Sequence, residues 1–171
     1  MNTEVVTGLA PETVTDWSVY PNFKEREFAC RCGCGSNRIS KKLLDMLQRA
    51  RTIAGVPFVI TSGCRCPRHN STVSKSQNSD HLCSPPLREG TPIISPSREG
   101  AGGCGNPSPS GEVLVCFGVD IATSNDRARF VIDRALKQVG FDRIGIDRRF
   151  IHAGISTGLG GRNASDQEWL Y

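Results

Sequence analysis

From Cys83 to Gly111 the chain consists mostly of residues that cannot make a core. Proline, glycine and serine dominate, and the triplet Arg-Glu-Gly occurs at 88–90 and again at 98–100. Proline removes a backbone donor and glycine is costly to order, so the stretch reads as a loop insertion at about 83–112. The fold must then come from the two flanks, and the loop's ends must meet in space. Each doubling of loop length costs only about 0.6 kcal/mol, so the flanks can still form one domain.

The flanks carry readable periods. Ser40 is the N-cap of a helix in which Leu43, Leu44, Leu47 and Ala50 recur at helical spacing, and Gly55 and Pro57 end it. Ser124 or Asn125 starts a second helix, with Ala128, Val131, Ile132, Ala135, Leu136 and Val139 along one face and Gly140 as the stop. Asn22 is a candidate cap for a short turn that buries Phe23 and Phe28, and Pro67 fits the first turn of a helix running through His69. Residues 58–61 read as a short buried strand. Residues 113–117 are β-like, and 141–146 and 150–152 give a strand and its return. Residues 1–20 show no sustained period and form an extended lead-in, which leaves 21–171 as a single domain.

Three histidines occur, at 69, 81 and 152. Asp120 interrupts an otherwise apolar segment, Cys116-Phe117-Gly118-Val119-Asp120-Ile121, and His152 ends the apolar run Phe150-Ile151-His152. Two histidines and an aspartate can ligate zinc, because a catalytic zinc commonly takes three N or O ligands and keeps a fourth position for water. By themselves, an apolar-flanked histidine is more often a satisfied core residue, and a buried aspartate can be a cap or half of an ion pair.

The order of the motifs decides between these readings. Ser62-Gly63-Cys64-Arg65-Cys66-Pro67-Arg68-His69-Asn70 is followed by Ser79-Asp80-His81, Gly118-Val119-Asp120-Ile121, Gly140-Phe141-Asp142-Arg143-Ile144-Gly145-Ile146 and Phe150-Ile151-His152. This series resembles the zinc D-alanyl-D-alanine carboxypeptidase family, cell-wall peptidases of bacteria and phages. The likeness runs from Asn22-Phe23 and Glu27-Phe28-Ala29-Cys30 to the closing Trp169-Leu170-Tyr171. It implies an α+β chain of the Hedgehog/DD-peptidase type, a small antiparallel sheet with flanking helices and the metal at the sheet's edge. It also implies one catalytic zinc on His81, Asp120 and His152, with Arg65 holding a substrate oxygen.

Two departures stand out. The family's His-x(6)-Asp word is split here by the insertion. Where many members place an acid three residues before the last histidine, or an aspartate two after it, this chain has Arg149 and Gly154. Neither can accept a proton. Asp147, on the turn feeding the His152 strand, is the substitute chosen as general base, ahead of Asp142 and Asp80.

Eight cysteines invite a further metal. Cys32 and Cys34 could join Cys66 and His69 in a structural zinc site; ordinary thiols, or a disulfide after export, are the other readings. The net charge is +4, with basic residues spread among acidic ones, which argues against nucleic-acid binding. No apolar run approaches the roughly 20 residues of a membrane span. The N-terminus has neither the basic nor the apolar region of a signal peptide, so the expectation is a chain cytoplasmic at synthesis that acts at the cell wall after release, or on a virion. The expected function is a phage-type zinc peptidase that cleaves a bond of the peptidoglycan stem peptide, as a D-Ala-D-Ala carboxypeptidase or an endolysin-type endopeptidase. The alternative is a catalytically inactive zinc-binding protein of the same fold that binds the wall or builds a virion.

Overall fold

The computed structural model describes residues 13–74, 76, 79–83, 115–155 and 167–171. The insertion beyond Cys83, and the first twelve residues of the lead-in, lie outside the described residues.

Two capped helices supply the scaffold. In α2 (Lys41–Ala54) the Ser40 hydroxyl accepts the Leu43 N–H, and Gly55 closes the helix at φ 66°. In α4 (Asp126–Val139) Asn125, not Ser124, is the cap, its carbonyl oxygen accepting the Ala128 N–H, and Gly140 closes at φ 92°. Only glycine adopts such φ values freely, so both stops fall where the sequence placed them. The two helices pack on each other through Leu43, Leu44, Leu47, Ile132 and Leu136, all fully buried.

Two short helices precede the chemistry. α1 (Glu25–Phe28) starts after Lys24 rather than at Asn22, because the Glu27 carboxylate reaches back to the Lys24 N–H at 2.7 Å. It still buries Phe23 and Phe28. α3 (Pro67–Val73) has Pro67 at its first position and the Cys66 sulfur accepting the His69 N–H. The described part of the lead-in is not detached: Val14 and Trp17 pack against the core and Tyr20 is buried in it.

The sheet has five strands in the order β1 (Val59–Ser62), β2 (Gly118–Ala122), β4 (Phe150–Gly154), β3 (Arg143–Ile146), β5 (Gln167–Leu170). The first four pair antiparallel, and β5 joins β3 in parallel. β1 is an edge strand, so Val59 is exposed and only Ile60 is buried, where the sequence had suggested a strand buried throughout. One face carries Ile60, Val119, Ile121, Ile144, Ile151 and Ala153 into the core shared with the helices. Among the described residues no helix is long and apolar enough to cross a membrane.

Candidate metal centre

Strand alternation sends every second residue to the face opposite the core. Across that face runs one continuous row of paired residues: Ser62, Asp120, His152, Gly145 and Trp169. A bulge between Ile60 and Ser62 places Ser62 rather than Thr61 opposite Asp120. The bulge also aims the chain that follows, so that the Arg65 Nε donates to Ser62 Oγ at 3.0 Å. His81 reaches the row from outside the sheet, on a turn held by Arg65 N–H to His81 O at 2.7 Å and Leu82 N–H to Ser79 O at 3.0 Å.

Three atoms converge. His81 Nε2 lies 3.2 Å and His152 Nδ1 lies 3.0 Å from Asp120 Oδ1, and the two nitrogens are 3.1 Å apart. A tetrahedral zinc with bonds near 2.0–2.1 Å spaces its ligands by roughly 3.3 Å, close to these separations. The outer ring nitrogens fix the tautomers. His81 Nδ1 donates to the Gly63 carbonyl at 2.8 Å, and His152 Nε2 to Asp80 Oδ2 at 3.1 Å. Neutral rings held this way turn two lone pairs and a carboxylate oxygen toward one point, which needs a cation between them. The residues therefore fit a zinc ion, with His81, Asp120 and His152 as its holders. Without a metal, a proton on one ring relieves the same repulsion. Burial lowers both imidazoles. For His81 that effect prevails, whereas for His152 the hydrogen bonds to Asp120 and Asp80 overcome it and raise the pKa. Burial likewise opposes ionisation of Asp120, but the charges and hydrogen bonds of both histidines hold its carboxyl well below the usual carboxylate range.

Asp80 is the residue whose role the sequence reading did not find. Its buried Oδ2 accepts from His152 and, at 2.8 Å, from Arg143 Nε, and these bonds outweigh burial to bring its pKa down to about 2. Two glycines make the room. A Cβ at Gly154 would stand 2.8 Å from Asp80 Oδ2, and one at Gly118 2.6 Å from the Asp80 Cβ. The carboxylate beside His152 Nε2 thus comes from the His81 turn, through the space left by Gly154 and Gly118. That commitment removes Asp80 as a free proton acceptor.

Arg65 stands at the site, its Nη2 donating to Asp120 Oδ2 at 3.0 Å. Asp147 does not touch the three converging groups: its carboxylate accepts the Arg149 N–H at 2.8 Å and the Arg149 Nε at 3.4 Å, on the turn of the β3–β4 hairpin. Asp142 lines a separate cleft of about 530 Å³ with Lys42, Asp45 and Arg49. Trp169 and Tyr171 were quoted from the sequence without a role. In the structure Trp169 stacks 5.6 Å from the His152 ring, Arg143 lies 5.2 Å over Trp169, and Tyr171 packs against Trp169 and Phe150. A two-residue period in Trp169-Leu170-Tyr171 was the signal available for a strand carrying both aromatics on one face.

The cysteine cluster differs in one member from the expected set. Cys30, Cys32, Cys34 and Cys66 bring their sulfurs within 4.8 Å of one another, and His69 stands outside, its Nδ1 3.3 Å from Cys30 Sγ. α3 starts at Pro67 with Cys66 as its cap, and Cys30, two residues after α1, stands in the cluster in the place expected for His69. The Cys32–Cys66 and Cys30–Cys32 contacts of 3.6 and 3.4 Å approach the roughly 3.8 Å edge of a tetrahedral zinc thiolate. Hydrogen bonds, first from Cys34 and then from Cys30, lower the Cys32 thiol to about 7.

No curated protein and no solved structure matches the chain. The family profile described as Peptidase M15 matches residues 21–86, the segment that carries α1 to α3, Arg65, Asp80 and His81. Over that segment the chain is similar to the M15 peptidases.

Proposed function

We propose that this chain is a zinc-dependent peptidase that hydrolyses a peptide bond of bacterial peptidoglycan, as a D-Ala-D-Ala carboxypeptidase or an endolysin-type endopeptidase of phage type. The observation that carries the reading is the convergence of His81 Nε2, His152 Nδ1 and Asp120 Oδ1 with both outer ring nitrogens already satisfied. The similarity to Peptidase M15 supports it.

A zinc held by these residues would polarise the scissile carbonyl and acidify water. Arg65, braced by Ser62 and Asp120, points its planar fork at the edge of the site and holds a substrate carboxylate or carbonyl oxygen. Trp169 and Tyr171 wall the same face with apolar surface, against which a stem peptide lies. Asp147 takes the proton of the attacking water in this reading, moving from Arg149 to do so. The Cys30, Cys32, Cys34 and Cys66 cluster holds a structural zinc that fixes the start of α3, and with it Arg65.

The test is mass spectrometry of soluble products after the zinc-loaded chain meets intact peptidoglycan, beside a chelated control. New peptide termini that vanish with chelator support the reading and name the bond; zinc at full occupancy without fragments refutes it. One observation favours the second reading, an inactive wall-binding or virion protein: among the described residues Asp80 and Asp120 are the only carboxylates hydrogen-bonded to the two histidines, and neither is free. Wall pelleting without cleavage identifies that case.

A further inference from the structure

A second thiol group lies apart from both sites above. Cys64, Cys83 and Cys116 bring their sulfurs within 4.8 Å of one another, all three are buried, and Cys64 and Cys116 are 2.7 Å apart. They come from three distant segments: Cys64 follows the β1 bulge, Cys83 closes the His81 turn, and Cys116 precedes β2. Three thiols from three distant segments thus offer one sulfur each around a single buried point, the donor set that a soft metal ion selects. A disulfide would use two of them and leave the third buried beside it without a role.

We propose that Cys64, Cys83 and Cys116 form a buried trithiolate site for one thiophilic metal ion, independent of the His81–Asp120–His152 centre and of the Cys30 cluster. Each thiol gives up its proton on ligation, and the ion bonds the three sulfurs. The site ties the two ends of the insertion to each other and to the loop after β1. Cys83 lies two residues from His81, Cys116 four from Asp120, and Cys64 adjoins Gly63, whose carbonyl holds the His81 ring. Its ligation therefore sets where two of the three histidine-centre groups stand.

The experiment is cadmium-113 NMR on the reduced full chain, with cadmium alone as the probe. Two resonances in the thiolate-rich region are expected, one from the Cys30 cluster and one from the trithiolate. Cys83→Ser removes one of them and leaves the other; Cys32→Ser removes the other; His81→Ala leaves both. A single thiolate-type resonance in the unsubstituted chain overturns the proposal, and that reading needs no variant to fold. So does the survival of both resonances in Cys83→Ser, or an intact mass about 2 Da low from a Cys64–Cys116 disulfide that forms in place of metal binding.

Discussion

Replacing Asp80 by Asn isolates the charge that steadies His152. The Asp80 Oδ2 accepts two hydrogen bonds, from Arg143 Nε at 2.8 Å and His152 Nε2 at 3.1 Å. Asparagine can present its carbonyl oxygen at the same point, so both contacts persist and only their charge is lost. A hydrogen bond to a charged group contributes about 1 kcal/mol more than a neutral one, so two of them amount to about 2 kcal/mol. If that loss falls on the metal-bound state it weakens zinc binding by about 30-fold, inside the roughly 10–100-fold range typical of partners that orient a ligating histidine. Asp80→Ala removes the oxygen as well and leaves Arg143 facing an empty buried position, at a cost of about 3–5 kcal/mol in stability. The assay is competition with a chromophoric chelator, read on the one zinc equivalent that His81→Ala abolishes. An Asp80→Asn chain that melts normally and binds that equivalent within twofold of wild type refutes the assignment.

Three further outcomes follow from the packing. Gly145→Ala drives a Cβ to 2.6–2.8 Å from three atoms of the Trp169 indole, so it should cost about 1–3 kcal/mol and red-shift Trp169 emission in a Trp17→Phe background; unchanged emission would show that β5 does not lie where described. Asn125→Ala deletes the 2.8 Å cap on the Ala128 N–H and should lower stability by about 1 kcal/mol in urea unfolding, whereas Ser124→Ala should change little. Burial, and then the 2.5 Å hydrogen bond to Asp45, raise the Tyr20 phenol above its ordinary value. A folded pKa above the unfolded one gives stability that is complete below pH of about 10 and lost as pH rises further, so Tyr20→Phe should flatten the alkaline decline; an equal decline in both chains would count against the Tyr20–Asp45 bond.

The helices and their stops were legible because caps and glycine hinges act locally: Ser40, Gly55 and Gly140 need no tertiary information. His81, Asp120 and His152 were legible as a set only through the order of motifs, since nothing local says that residues 39 and 32 apart meet at one point. The pairing that brings Ser62, and with it Arg65, to Asp120 depends on one extra residue in β1, which no periodicity in a four-residue edge strand reveals. Asp80 was weighed as a base because it adjoins His81 in sequence. Its real partner, Arg143, is 63 residues away, and the gap that admits it exists because two glycines on neighbouring strands lack side chains. The lead-in was underestimated for a similar reason: Trp17 and Tyr20 are anchored by tertiary contacts, with no repeating pattern to announce them.

Asp80 and His81 are consecutive, yet they serve different members of the triad: one grips the metal point itself, the other steadies the rival imidazole across the sheet. The turn at 79–83 is therefore a single latch with two bolts. Any excursion that lifts it withdraws a ligand and, in the same stroke, releases His152 from its tautomer. Lifting that turn would therefore loosen the hold on a bound ion at two of its three holders at once, His81 and His152.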